Sequence, residues 1–132
     1  MKNRSEMTVI VTFSVKITER DITRILTQAA ETCDYWSKGI KQLGAPKGNT
    51  IGTHLLNGGQ VYVYEKNGKY HQLTVQKLQN GFQLWFQNYS AHFNSMTLFS
   101  ENRIMLNQRE MVQEDADEII QYAIFGKIAE RK

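Results

Sequence analysis

The side chains best suited to bind an anionic ligand lie in one polar stretch, SENRIMLNQREM. It contains Arg103 and Arg109 together with Asn102, Asn107 and Gln108. The planar guanidinium of arginine donates paired hydrogen bonds to phosphate, and the amides suit the edge of a base or a ribose. On the residues alone a pair of solvated arginines is the favoured interpretation, and a phosphate-binding segment is weighed against it.

Three aromatic residues in the stretch NGFQLWFQN, Phe82, Trp85 and Phe86, fall on one face of a predicted helix. We expect Trp85 and Phe86 to be core residues. For Phe82 a core position is the favoured interpretation from the residues alone, and a stacking surface for a nucleobase, worth roughly 1–3 kcal/mol, is the alternative. Gly81 costs a helix about 1 kcal/mol relative to alanine. Its missing side chain therefore predicts close packing or room for a ligand.

Other catalytic or metal-binding patterns are weak. Three histidines, His54, His71 and His92, lack metal-ligand spacing, which favours surface or loop positions. Cys33 lies on an apolar stripe and is expected to be an inert core thiol. No serine carries the signature of an activated nucleophile, and the glycines of GNTIGT match no phosphate-loop motif.

Four acidic residues crowd the start of the predicted last helix: Glu114, Asp115, Asp117 and Glu118. Carboxylates at that end of a helix cap backbone N–H groups and favour the macrodipole. Capping is therefore the stronger interpretation, and paired-carboxylate catalysis the weaker one.

The elements that position these residues begin with strict alternation over residues 8–17, which predicts a half-buried strand. Thr18 and Asp21 have the spacing of a capping box and open a helix. Its apolar stripe runs through Cys33 and Trp36, and the helix is expected to end near Gly39 or Gly44. A glycine-rich loop is predicted for residues 44–59.

A hairpin follows, in which Asn67-Gly68 predicts a two-residue type I′ turn. Thr74 is expected to cap the helix that carries Phe82. One or two short strands, MTLF and RIML, are expected before the last helix, whose basic end is Lys127, Arg131 and Lys132. The fold prediction is α+β: antiparallel sheets with two to three packed helices, in one domain spanning residues 1–132.

Composition limits the cellular compartment and the kinds of partner that are expected. The chain has 132 residues, a single cysteine and a net charge of +3, and a pI near 9.0. A lone cysteine fits a reducing compartment, and no apolar run has the roughly 20 residues of a membrane span. We therefore expect a cytoplasmic protein. Lysine and arginine are scattered along the chain, so duplex nucleic acid is not an expected partner.

Three stretches resemble a family of small proteins of phages and mobile elements. NGGQVYVYEKNGKYHQLTVQKLQNGFQLWFQN has a glycine pair before a hairpin, then L-T-x-x-K-x-x-N-G-F-x-L-W. EDADEIIQYAIFGKI is similar to an acidic A-D-x-I-I-Q-Y-A-x-F-G helix, and DITRILTQAAETCDYWSKGI resembles the first helix. The likeness covers about residues 17–128. The family is the first type of Thoeris anti-defence protein, a viral sponge that sequesters cyclic ADP-ribose isomers without cleaving them.

The resemblance implies a pocket between two subunits, and hence a homodimer or a higher homo-oligomer. The positions that match the family's ligand-binding residues are Ile17, Asn57, Phe82, Asn94, Arg109, Gln113 and Asp115. Family members commonly carry arginine where this chain has Asn57, so one phosphate contact is expected to differ. The loop NYSAHFNS differs from the glycine-rich loop of the family. Asn94 is assigned as the ligand contact of this loop, and Asn88 is the alternative.

The predicted function is therefore a non-enzymatic trap for a glycocyclic ADP-ribose type of signal, acting without a cofactor or metal in the cytoplasm of an infected bacterial host. The alternative is an anti-CRISPR-like inhibitor that binds a host defence complex. An enzyme that degrades a nucleotide signal is the least supported reading. The sequence does not indicate which isomer is bound, nor whether the oligomer is a dimer or a hexamer. It is equally compatible with a second site for cyclic oligonucleotides and with none.

Overall fold

The computed structural model describes residues 5–10, 14–88, 96–99, 103–107 and 111–132. These residues form an α+β fold, as predicted, although with more helices than the two or three expected. In chain order the elements are β1 (Val15–Lys16), α1 (Glu19–Thr32), β2 (Ser37–Leu43), α2 (Ile51–Leu56), β3 (Gln60–Glu65), β4 (Tyr70–Leu73), α3 (Val75–Asn88), β5 (Met96–Phe99), β6 (Arg103–Leu106) and α4 (Gln113–Phe125). None of the helices in these ranges is long and apolar enough to cross a membrane.

The strands form two three-stranded sheets. One has the order β2-β3-β4 and is antiparallel throughout, with Lys41 opposite Tyr62 and Tyr64 opposite Tyr70. The other has the order β1-β6-β5, in which β1 runs parallel to β6 and β5 antiparallel to it. The prediction of antiparallel sheets is thus correct for the first sheet and incomplete for the second.

The N-terminal strand is much shorter than the alternation of residues 8–17 predicted. Strand geometry is confined to Val15–Lys16, and residues 11–13 lie outside the described part of the chain. Val9 and Ile10 are 68% and 88% exposed. Alternation predicts a half-buried strand only where a neighbouring layer covers one face, and these two side chains have no such cover.

Helix α1 begins as predicted and ends early. The backbone N–H of Thr18 donates to Asp21 Oδ2 at 2.9 Å, and the N–H of Asp21 donates to Thr18 Oγ1 at 3.2 Å. The helix stops at Thr32, with Cys33 as its C-cap, rather than near Gly39 or Gly44. The residues after it form β2, which pairs along its length with β3. Hydrogen bonding to a distant strand outweighs local helix propensity here.

The predicted glycine-rich loop contains a helix, α2. Thr50 opens it, because its N–H donates to Thr53 Oγ1 at 3.0 Å and the N–H of Thr53 donates back to Thr50 Oγ1 at 3.1 Å. Gly52 lies where α2 meets α1: a Cβ there would stand 2.5 Å from the carbonyl oxygen of Glu19. The glycine that suggested a loop instead permits two helices to approach closely.

The hairpin is present, with a different turn. The N–H of Gly68 donates to the carbonyl of Glu65 at 3.1 Å, which makes Lys66 and Asn67 the central residues of the turn. Gly68 follows at φ 94°. This is a three-residue loop that ends on a left-handed glycine, rather than a two-residue type I′ turn. Next along the chain, Thr74 caps α3 as predicted, since its Oγ1 accepts from the N–H of Lys77 at 3.1 Å.

Helices α3 and α4 pack closely at Gly81. A Cβ on this residue would lie 2.8 Å from the Cβ of Ala123 and 2.9 Å from its backbone nitrogen. Gly81 therefore serves packing between two helices of the same chain, and of the two roles expected for it, close packing is the one observed. Helix α4 ends at Phe125 with Gly126 at φ 74°. The basic residues expected in its last turn come after the helix end.

Candidate functional site

A cleft of about 780 Å³ opens between β1, the end of α2 and one face of α3. The residues that line it are Ser14, Val15, Ile17, Ile22, Leu55, Leu56, Val75, Leu78, Gln79, Phe82, Gln83, Phe86 and Gln87. None of these side chains is charged. The volume falls within the roughly 300–1,000 Å³ that is usual for small-molecule sites.

Helix α3 supplies the polar side of the cleft. Gln79, Gln83 and Gln87 are exposed and recur every four residues, so their amides form one row along the helix. A primary amide both donates and accepts hydrogen bonds and can read the edge of a base or a sugar hydroxyl. These glutamines were not among the residues expected at a site. The repeat of glutamine at i, i+4 and i+8, beside an aromatic stripe, is the signal that would have found them.

The two phenylalanines of α3 exchange the roles expected for them. Phe82 is only 6% exposed and belongs to the core, although it also lines the cleft. Phe86 was expected in the core, yet it is half-buried and lines the cleft as well. Its ring lies 5.0 Å from that of Trp85, edge-on. Trp85 is fully buried, as predicted. The ring more accessible from the cleft is therefore that of Phe86.

Of the seven positions implied by the family resemblance, Ile17 and Phe82 come together. Ile17 directly follows β1 and Phe82 lies in α3, and both line the same cleft. Asn57 does not line it: this exposed residue ends α2, and its Nδ2 donates to the carbonyl of Lys47 at 2.8 Å.

The other expected site residues either do not line the cleft or lie outside the described residues. Gln113 begins α4, and the carboxylate of Asp115 accepts from the N–H of Val112 at 2.8 Å. Neither lines the cleft, and the bond to Val112 supports the capping role for Asp115. Asn94 and Arg109 lie outside the described residues, as does Gln108. Asn88 ends α3 with its Nδ2 donating to the carbonyl of Leu84 at 2.7 Å.

Asp117 has a different role from the helix-start carboxylate that was predicted. It is buried and accepts hydrogen bonds from Tyr35 Oη at 2.6 Å, Trp36 Nε1 at 2.9 Å and Gln121 Nε2 at 3.0 Å. Burial and the neighbouring Asp117 carboxylate raise the pKa of Tyr35 well above its usual range. The cluster ties the turn between α1 and β2 to α4, and removing a partner from such a buried charge is destabilising.

Two of the histidines are structural rather than loose surface residues. His54 is 1% exposed; its Nδ1 accepts from the N–H of Lys47 at 2.9 Å, and its Nε2 lies 3.0 Å from the carbonyl of Gln60. His71 Nε2 lies 2.7 Å from Glu65 Oε2. His92 is outside the described ranges. Among the residues the structure describes, no three His, Cys, Asp or Glu side chains come together as a metal site.

Cys33 is fully buried, as expected of a core thiol. Burial raises its pKa to about 11 from an ordinary value of 9.0. The protonated thiol that persists at neutral pH is a poor nucleophile.

The chain has no significant match to any protein-family model, to any curated protein or to any solved structure.

Proposed function

We propose that the protein sequesters a cyclic ADP-ribose isomer in the cleft between β1, α2 and α3. The observation that carries the proposal is that Ile17 and Phe82 line one cleft. These positions lie far apart in the chain and were assigned to ligand binding by the resemblance to Thoeris anti-defence sponges. A trap of this kind acts in the cytoplasm of an infected bacterial cell and needs no catalytic group.

The lining of the cleft suits the nucleoside part of such a ligand. The half-buried ring of Phe86 offers a face for an adenine, and the row of Gln79, Gln83 and Gln87 offers hydrogen bonds to base and ribose edges. A stacked base contributes roughly 1–3 kcal/mol. A ligand fixed by an apolar floor and a few directed polar groups is the usual arrangement in small-molecule sites.

The pyrophosphate of the ligand needs a cation, and none of the described lining residues supplies one. We assign this role to Arg109, through the resemblance and the bidentate chemistry of its guanidinium. A homo-oligomer in which a second copy closes the cleft is part of the proposal, since closed symmetric dimers are the commonest assemblies. Light scattering that shows only monomer at micromolar concentration would remove this part of it.

The test is calorimetry of the protein against a panel of cyclic ADP-ribose isomers, followed by heat denaturation and assay of the released ligand. We expect one isomer to bind and to be recovered intact. A cleaved product would show an enzyme, and the absence of binding by any isomer would overturn the sponge proposal in favour of an inhibitor of a host defence complex.

Three variants locate the ligand. Gln83→Ala and Arg109→Ala are expected to weaken binding, because each removes a directed contact. Gln76→Ala is the matched control, since Gln76 is an exposed glutamine of the same helix that does not line the cleft. Equal loss of affinity in Gln76→Ala and Gln83→Ala, with unchanged melting temperatures, would place the ligand elsewhere.

A further inference from the structure

The outer face of the β2-β3-β4 sheet carries a cluster of three tyrosines. Tyr62 and Tyr64 are half-buried and Tyr70 is 64% exposed. Their ring centroids lie 5.8 Å apart for Tyr62–Tyr70, 6.1 Å for Tyr64–Tyr70 and 6.4 Å for Tyr62–Tyr64. The rings thus form one continuous aromatic surface.

Strand geometry separates this surface from the core. Val61, Val63 and Leu73 alternate with the tyrosines and are at most 1% exposed, because successive side chains of a strand point to opposite faces. Opposite Tyr64 on β2 is Gly39, which presents no side chain over the ring. The core therefore does not require tyrosine at these outward positions.

The charge around the tyrosines is one-sided. Residues 37–77 contain six lysines and one acidic residue, Glu65, whereas the rest of the chain has more acidic than basic residues. Glu65 is buried and lies 2.7 Å from His71. Lys41 Nζ is 5.8 Å from the centroid of the Tyr64 ring. Lys66 and Lys69 are exposed in the hairpin turn beside Tyr64 and Tyr70.

We infer that this tyrosine face binds single-stranded nucleic acid. Aromatic rings on a sheet surface accept stacked bases of any sequence, and lysines at their margin neutralise the phosphates. A second copy of the chain is disfavoured as the occupant, since the two faces would bring like charges together. A duplex is disfavoured because its bases are already stacked on one another. The site is separate from the cleft and does not depend on the proposed function.

The test is fluorescence anisotropy with a labelled thymidine 20-mer, a mixed-sequence RNA of the same length and a matched duplex. We expect both single strands to bind more tightly than the duplex. Affinity should fall with added salt, by about 0.7 in the log–log slope for each phosphate neutralised on a single strand. Binding of the duplex as tightly as the single strands would overturn the inference.

Variants separate stacking from simple attraction of a polyanion. Tyr64→Ser is expected to lower single-strand affinity at least about fivefold, while Tyr64→Phe keeps the ring and most of the affinity. Lys41→Gln should reduce the salt slope, and Lys127→Gln is the charge-matched control outside the sheet. Loss of binding in Tyr64→Phe equal to that in Tyr64→Ser would contradict stacking.

Two further outcomes would contradict the binding of single-stranded nucleic acid by the tyrosine face. Binding of heparin that matches the oligonucleotides, and that Tyr64→Ser leaves unchanged, would show a nonspecific cationic surface. Dissociation of an oligomer by Tyr64→Ser, without oligonucleotide binding in the parent protein, would show an interface between copies. Gln83→Ala should leave oligonucleotide binding unchanged, which keeps this test independent of the cleft.

Discussion

The cleft and the tyrosine face display aromatic rings in opposite ways. In the cleft, Phe82 and Phe86 lie on the same helix as the fully buried Trp85, and Phe82 belongs both to the cleft and to the core. On the sheet, Tyr62 and Tyr64 are flanked by buried valines that point to the other side. A helix of 3.6 residues per turn brings site and core onto overlapping faces, whereas a strand of period two separates them. Substitutions should therefore disturb folding in the first region and spare it in the second.

The largest effect is expected for Trp85→Ala. Its indole is fully buried, and Nε1 lies 3.3 Å from Glu118 Oε1 on α4. Truncation should lower the free energy of unfolding by about 3–5 kcal/mol, measured by urea denaturation. A loss below about 1 kcal/mol would show that the cleft helix is not coupled to the core as described.

The second largest effect on stability is expected at the polar cluster that joins the turn between α1 and β2 to α4. Asp117→Ala removes the acceptor of Trp36 Nε1 and the nearer of the two acceptors of Tyr35 Oη, and it should cost about 1–3 kcal/mol. Asp34→Ala is the matched control, because Asp34 is exposed. Equal unfolding free energies for the two variants, again from urea denaturation, would contradict the cluster.

Gly81→Ala tests the close approach of α3 to α4. Alanine gains about 1 kcal/mol in helix propensity, but its Cβ must displace the backbone of Ala123, and such overpacking costs about 1–3 kcal/mol. A net loss of about 1 kcal/mol is expected. Asn80→Ala, at an exposed neighbouring position, should not lose stability. A Gly81→Ala protein that melts higher than the parent would refute the packing role.

The buried thiol makes the stability pH-dependent. The folded pKa of Cys33 is raised to about 11 from 9.0, so the contribution of the protonated thiol is complete below pH 9 and is lost as pH rises through 11. At pH 10 the loss is about 1 kcal/mol. Cys33→Ala should show a smaller fall in unfolding free energy between pH 8 and pH 10 than the parent. Identical pH dependence would contradict the shift.

The smallest effect is expected for the sheet face. Tyr70→Ala removes an exposed ring whose packing is with Tyr62 and Tyr64, and it should change stability by no more than about 0.5–1 kcal/mol. The same denaturation measurement checks it. A loss comparable with that of Trp85→Ala would abolish the distinction between the two regions.

Part of the candidate site was expected from the family resemblance. Ile17 and Phe82 were expected at a ligand, and they line one cleft. The glutamine row of α3 and the greater accessibility of Phe86 were missed, because the orientation of a helix decides which of its faces looks into a cleft. The tyrosine face was also missed. Charge counted over the whole chain hides the lysine excess of residues 37–77, and the outward side of a strand becomes known only when the layer covering its other side is known.

The sequence was enough to predict the features that depend on neighbours a few residues apart: the Thr18–Asp21 capping box, the existence of the hairpin and the start of α3 at Thr74. Tertiary structure alone decided where α1 ends, that β2 joins β3, and that Gly52 and Gly81 serve helix packing. The two groups of features differ in how far apart along the chain the interacting residues lie. Capping and turns are settled by hydrogen bonds within one or two turns of chain, whereas strand pairing and close helix contacts depend on residues that are distant in the sequence and become neighbours only once the chain has folded.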